Sequence, residues 1–174
     1  INKASGAVNL SSGITAGGVL TMTGGNIVTG LHDVTISSTG SIAGGDATSY
    51  IVADGVGVLR HAVTALAAPL VFPIGDVDDY SPFTFTLQAG TLSSSNVTIN
   101  LRNTKHTNIT EDNYTVRYWS LSNEGITGTL GYDVSYIYQQ ADVVGVESLI
   151  RSRKFSGSGD AIGGTVNATT NELA

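Results

Sequence analysis

The most closely spaced acidic side chains of the sequence are those of Asp76, Asp78 and Asp79, in the segment GDVDDYSP. Carboxylates in a tight loop can supply the several oxygen ligands that a hard cation such as calcium requires. The segment lacks the glycine and the distal glutamate of an EF-hand loop, and aspartate beside glycine and proline is also typical of an ordinary turn. The sequence therefore predicts a turn here, with a calcium site as the alternative.

Aromatic side chains offer a second kind of chemistry, because flat rings present an apolar face on which a sugar can stack. Tyr132, Tyr136 and Tyr138 share one face of a predicted strand with Val134. Because a valine lies among the tyrosines, we predict that this face is buried in the core, with the tyrosine hydroxyls at the rim of the core. The alternative is that the face is exposed and forms a carbohydrate-binding surface. A second aromatic group comprises Tyr114, Tyr118 and Trp119.

The sequence lacks the residue arrangements of known catalytic and zinc sites. His32, His61 and His106 lie far apart and form neither an H-x-H nor an H-E-x-x-H pattern. No G-x-S-x-G motif occurs, and the absence of cysteine excludes disulfides, thiolate metal sites and cysteine nucleophiles. We therefore expect no enzymatic activity and no cofactor apart from the calcium alternative.

Composition narrows the range of partners. The chain has 174 residues, of which only 13% are charged, and a formal net charge of −6. A negative chain opposes association with nucleic acid or with an anionic bilayer, and no run approaches the ~20 apolar residues that span a membrane. We expect neither partner. Because the first residue is Ile1 and no signal peptide opens the sequence, we expect a mature or excised portion of a longer precursor.

The elements that must position these residues are predicted to be β-strands. From Val8 to Val58, short apolar pieces alternate with polar residues and are divided by glycines, as in LTMTGGNIVTG. Such irregular short repeats suit the coils of a β-helix or a flat meander. In either arrangement, the residues predicted to be buried are Leu20, Met22, Ile27, Val34, Ile36 and Ile42.

After Arg60 the strands lengthen and aromatic residues become more frequent. The segment FTFTLQAG places Phe83, Phe85 and Leu87 on one face, and NVTINLR repeats this alternation. Several half-buried strands bounded by turns indicate an antiparallel β-sandwich. We therefore predict an all-β fold, in which a glycine-rich β-helix-like or meander region (1–58) packs on a β-sandwich module (59–174).

Several segments carry a resemblance to a known family. The segments LVFPIGDVDDYSPFTFTL, RYWSLSN and ADVVGVESLIRSRKFSG are similar, in the same order, to repetitive modules of large secreted and cell-surface proteins of Bacteroidetes. Such proteins are exported by the type IX secretion system. The resemblance covers nearly the whole chain and is sharpest at FPIGD and YSPFT. It implies an extracellular setting at the cell surface and an adhesive or structural role, without catalytic residues.

The carboxyl-terminal segment departs from that family. Its modules continue past a GGTVN-like segment into one more apolar strand, whereas this sequence stops at NELA. One interpretation is a truncated or poorly ordered terminus. The other is an open sheet edge that a strand from a neighbouring chain completes, which would join copies into a filament.

The sequence therefore predicts a non-enzymatic structural or adhesive module of a bacterial cell-surface protein. Its expected partners are copies of itself or neighbouring modules. The alternative is a carbohydrate-binding module attached to a larger enzyme or adhesin, with surface glycans as partners.

Overall fold

Glycine and turn residues interrupt every apolar run of the amino-terminal part, so its strands are short. The computed structural model describes residues 1–156 and 160–174 and contains no α-helix within them. The first ten strands are β1 (Asn2–Asn9), β2 (Ile14–Ala16), β3 (Val19–Met22), β4 (Gly24–Val28), β5 (Val34–Ile36), β6 (Ser41–Gly44), β7 (Ile51–Val52), β8 (Leu59–Ala62), β9 (Pro69–Phe72) and β10 (Ile74–Gly75).

Nine of these strands, all except β9, stack in parallel on three faces. One face contains β1, β4, β7 and β10, the second contains β2, β5 and β8, and the third contains β3 and β6. The chain therefore winds into a β-solenoid in which one coil takes roughly 20 to 25 residues. The all-β prediction is confirmed, and the parallel pairing identifies the β-helix rather than the meander.

Columns of aligned apolar side chains fill the interior of this solenoid. Ile27 pairs with Ile51 and Ile51 pairs with Ile74, and all three are fully buried. Burial of each such side chain stabilises the fold by about 1.5–3 kcal/mol. Of the residues predicted to be buried, Met22, Ile27, Val34 and Ile36 are buried, whereas Leu20 and Ile42 are partly buried.

Two long strands cover the last coil of the solenoid. β11 (Phe83–Arg102) pairs antiparallel with both β8 and β9 on one side and with β13 (Tyr118–Ile137) on the other. The register shifts between Leu92 and Asn96, where Ser94 and Gly125 have positive φ, so the long pair bends there. The remaining strands are β12 (Tyr114–Thr115), β14 (Val143–Val144), β15 (Arg151–Lys154), β16 (Ala161–Asn167) and β17 (Glu172–Leu173).

The carboxyl-terminal strand β17 is an internal strand. It pairs with β13 through Leu173 and Tyr136, and with β16 through Leu173 and Val166. Leu173 is only 2% exposed, so burial of this side chain fixes the strand between its two neighbours. Of the two interpretations of this segment, the open sheet edge is therefore wrong, because β17 is paired on both sides within the chain.

The antiparallel strands continue one face of the solenoid without a break. The order in this sheet is β15, β16, β17, β13, β11, β8, β5, β2. Parallel pairing extends to β10, which lies beyond the predicted domain boundary at residue 58. The division of the chain into two domains stays a prediction. Among the residues that the structure describes, no helix has the length and apolar character needed to cross a membrane.

Candidate functional site

A cavity of about 870 Å³ lies beside β13, with residues of β15 and β16 forming part of its wall. The β13 residues that line it include Trp119, Leu121, Tyr132, Val134 and Tyr136. These side chains are only partly buried, although they belong to the apolar face of the sheet. The cavity is thus bounded by apolar and aromatic surface, which is typical of ligand pockets.

Strand register explains why this apolar face stays open. Tyr136 lies opposite Phe83, and Trp119 lies opposite Leu101, so each pair shares one face of the sheet. Phe83 and Leu101 on β11 are buried in the main core, which also contains the solenoid interior. Their partners on β13 lie one strand farther out, and the same face there lines the cavity.

The rings beside the cavity hold one another in place. The centroids of Trp119 and Tyr136 are 4.4 Å apart with planes tilted by 40°, and Tyr136 stacks on Phe83 at 6.2 Å. The indole Nε1 of Trp119 donates a hydrogen bond to the Ser81 carbonyl oxygen at 3.3 Å. Because packing and this hydrogen bond restrict the rings, the aromatic surface is preorganised.

The three tyrosines singled out by the sequence do not share one environment. Tyr132 and Tyr136 line the cavity, whereas Tyr138 is 1% exposed and its hydroxyl donates to Glu147 Oε1 at 2.7 Å. Burial raises the pKa of Tyr138, and the hydrogen bond and charge of Glu147 raise it further. Because β13 ends at Ile137, the strand alternation does not extend to Tyr138.

Burial also affects the hydroxyl of Tyr136. It raises the pKa of Tyr136 to about 12, and a hydrogen bond with Ser152 acts in the opposite direction. The Ser152 hydroxyl in turn donates to the carbonyl oxygen of Ala174 at 3.0 Å. The neutral phenol therefore lies between the aromatic cluster and the terminal strands.

Polar groups surround the aromatic surface. The Lys154 Nζ lies 5.0 Å from the centroid of the Tyr132 ring, and Arg153 forms an ion pair with Glu111. His106 stacks on Phe155 with centroids 4.4 Å apart and adds a further aromatic wall. Such groups can exchange hydrogen bonds with the hydroxyls of a sugar. No local pattern marks the pairing of His106 with Phe155, because it joins distant segments of the chain.

A buried arginine lies next to the cavity. The Arg117 side chain has no exposed surface, and its Nε donates to Asp142 Oδ2 at 2.5 Å. Its Nη1 lies 2.8 Å from Asp76 Oδ2, an ion pair without hydrogen-bond geometry, and donates to Ser81 Oγ at 2.9 Å. Its Nη2 is 3.4 Å from Asp79 Oδ2. The guanidinium of Arg117 therefore connects its own segment, next to Thr115, to the loop of Asp76 and to the segment that contains Asp142.

The acidic loop is a tight turn in which the Asp76 carboxylate is already engaged. Asp76 Oδ1 accepts the backbone N–H groups of Asp78 at 2.9 Å and Asp79 at 2.8 Å. Within residues 1–156 and 160–174, no group of three or more His, Asp or Glu side chains is arranged to hold a metal ion. The cation against Asp76 in the structure is the guanidinium of Arg117.

Arg117 and Asp142 were not among the site residues predicted from the sequence. The only local signal for Arg117 is its alternation with Thr115 and Trp119, and the sequence does not show that this set points inward, whereas the structure buries Thr115 and Arg117. A charged residue at an inward position predicts a buried partner of opposite charge. No comparable pattern identifies Asp142 as that partner.

The three histidines lie in separate environments. His61 is buried in the core, where burial lowers its pKa, and its Nδ1 lies 2.8 Å from the Ala62 carbonyl oxygen. Its ring meets the edge of Phe72 at 6.0 Å. His106 lies at the cavity and His32 is half-buried in the solenoid.

No protein family model matches the chain, and comparisons with curated proteins and with solved structures give no match. The resemblance to Bacteroidetes surface modules therefore stays a prediction. The fold and the geometry described above are the observations from which a function can be inferred.

Proposed function

We propose that this chain is a non-enzymatic structural and adhesive module of an extracellular protein at a bacterial cell surface. The observation that carries the proposal is the solenoid itself, whose parallel coils are covered at one end by β11. A solenoid of this kind is a spacer, because its length grows with each stacked coil while every coil contacts only its neighbours.

The surface chemistry suits such a role. Charged residues make up only 13% of the chain, so charge contributes little to its contacts. The outward-facing threonines Thr15 and Thr35 stack on one face, next to Arg60 of the following coil. Backbone ladders and neutral side chains give such a module stiffness and solubility.

Location and adhesion can be tested together. Immunogold electron microscopy of the source cells, with antibodies against the chain, should label structures outside the outer surface. Cells whose parent protein lacks this chain should adhere less than cells that carry it. Label confined to the cell interior, or adhesion that is unchanged by the deletion, contradicts the proposal.

A second candidate function is carbohydrate binding at the cavity. The observation that favours it is the fixed aromatic surface of Trp119, Tyr132 and Tyr136 beside the polar groups of Glu111 and Lys154. Stacking on aromatic rings would orient a sugar, and the polar groups would bind its hydroxyls.

A glycan array followed by calorimetry tests this candidate. Tyr132→Ala should weaken binding of a selected glycan about twofold to twelvefold, since one aromatic contact contributes about 0.5–1.5 kcal/mol. Val56→Ala is the matched control, because Val56 is 69% exposed and lies outside the residues that line the cavity. No glycan bound by the wild-type chain, or equal affinity of both variants, contradicts carbohydrate binding at this cavity.

A further inference from the structure

The two ends of the solenoid differ. The last coil is covered by β11, which pairs with β8 and β9. In the first coil, β1 pairs only with β4, β2 only with β5 and β3 only with β6, among the strands that the structure describes. Solenoids need a cap where their stack ends, because an uncovered coil exposes its interior and its backbone groups.

Burial agrees with the absence of a cover over the first coil within residues 1–156 and 160–174. Ile14 pairs with Val34, and Ala16 pairs with Ile36. The second-coil residues Val34 and Ile36 have no exposed surface, whereas Ile14 and Ala16 are only partly buried. The difference follows from position, since the second coil has a neighbour on each side.

The amino-terminal residue begins a further layer over β3. The Ile1 carbonyl oxygen accepts hydrogen bonds from the N–H and the Oγ1 of Thr23, both at 2.9 Å. The Ile1 amino group donates to the Thr21 carbonyl oxygen. Because Asn2 pairs with Gly24, Ile1 lies one coil above Thr23. These bonds fix the direction and the register that a coil stacked on β3 would take.

The free edge is selective for one kind of occupant. A bulge between Asn2 and Ala7, with Gly6 at a φ of 72°, and the charge of Lys3 protect the first half of β1 against pairing with an arbitrary strand. Lys3 is the single charged side chain among residues 1–23, so the remaining edge is neutral. That edge consists of residues 7–9, β2 and β3, which lie on three different faces.

We propose that the first coil accepts a further parallel coil of a β-solenoid, stacked in register on residues 7–9, β2 and β3. The occupant is a neutral segment rich in glycine, serine and threonine, with apolar residues pointing inward. A short straight strand, unlike the long and bent β11, covers only one of the three faces. A second copy cannot stack head to tail in this way, because β11 covers its last coil.

A fusion in register tests the proposal on the full chain. Residues 24–44 are duplicated directly ahead of Ile1. Ile1 lies one coil above Thr23, and Met22, the residue before Thr23, pairs with Gly44. The duplicated Gly44, placed directly before Ile1, therefore lies one coil above Met22. The fusion should raise the Tm by more than about 4 °C and slow amide exchange in β2 and β3 at least about tenfold. In the control fusion, the duplicated Ile27, Val34 and Ile36 are replaced by serine, and neither change should occur.

Two results would overturn the inference. One is a fusion whose Tm and amide exchange equal those of the control fusion. The other is an unfused chain that sedimentation shows to be a dimer with β2 and β3 already protected, since the occupant would then be a second copy. The purified chain suffices for these measurements, so their outcome is independent of the cell-surface role proposed above.

Discussion

Replacement of Arg117 by methionine tests how strongly the buried ion network holds the antiparallel part together. The substitution keeps a long side chain and removes the guanidinium that contacts Asp76, Asp79 and Asp142. The side chains of Asp76 and Asp142 are only 2% and 10% exposed, whereas that of Asp79 is 42% exposed. Water can therefore solvate Asp79, while Asp76 and Asp142 are left as buried carboxylates without a counter-ion.

The expected loss follows from these two carboxylates. Removal of one partner from a buried ion pair costs about 3–5 kcal/mol, because the remaining charge is desolvated and unpaired. For a chain of this length, 1 kcal/mol corresponds to a Tm shift of about 2–4 °C. Arg117→Met should therefore lower the Tm by roughly 6–20 °C. Addition of Asp76→Asn and Asp142→Asn should recover part of the loss, since the unpaired charges are then absent.

Chemical denaturation and thermal melts measure both quantities. Arg60→Met is the matched control, because Arg60 and Glu124 form an exposed ion pair at 3.0 Å whose side chains are 33% and 73% exposed. An exposed pair contributes less than about 1 kcal/mol. If Arg117→Met is no more destabilising than Arg60→Met, the network does not hold the fold and the reasoning is refuted.

Three further predictions concern a glycine substitution, the titration of a tyrosine and the addition of calcium. Gly44→Ala should lower the free energy of unfolding by more than about 1 kcal/mol, because φ is 77° and the new Cβ would lie less than 3.0 Å from the Met22 carbonyl oxygen. Gly18→Ala, whose Cβ meets nothing within 4 Å, should change it by less than about 0.5 kcal/mol, and equal effects in thermal melts contradict this. Because burial raises the pKa of Tyr136 from 10.0 to about 12, its stabilising contribution is complete below pH 10.0 and is lost as the pH rises through about 12. In Tyr136→Phe, the free energy of unfolding should fall less steeply with pH between 10.0 and about 12 than in the wild-type chain. Identical pH profiles of the two proteins contradict this prediction. Millimolar calcium should leave the Tm unchanged, since Asp76 is engaged by Arg117, and a rise that a chelator reverses shows that the loop binds metal.

Strand type could be predicted from the sequence because it is a local property. The alternation of Phe83, Phe85 and Leu87 predicts one inward face, and all three residues are buried in the structure. The choice between a β-helix and a meander was left open, since it depends on which distant residues pair. Ile27 pairs with Ile51 in parallel, and no local spacing encodes that contact.

The cavity could be predicted only in part. The alternation that includes Tyr132 and Tyr136 identifies a shared apolar face, but not whether another element covers it. Tyr138 was assigned to the same face, and the end of β13 at Ile137 separates it from the other two. An open edge at the carboxyl terminus was one of two interpretations of the sequence, and Leu173 is instead buried there between two strands. Each of these outcomes depends on contacts between distant segments.

Cross-linking tests the stacking of the coils most directly, because the chain contains no cysteine. Thr15 pairs with Thr35 on adjacent coils, and neighbouring strands lie about 4.8 Å apart. Thr15→Cys with Thr35→Cys should react readily with a short thiol cross-linker and retain a cooperative melt. Thr15→Cys with Ser37→Cys is shifted by two residues, roughly 6.6 Å along the strand, and should react much more slowly. Preferential reaction of the shifted pair, or no reaction of either, would contradict the parallel in-register solenoid.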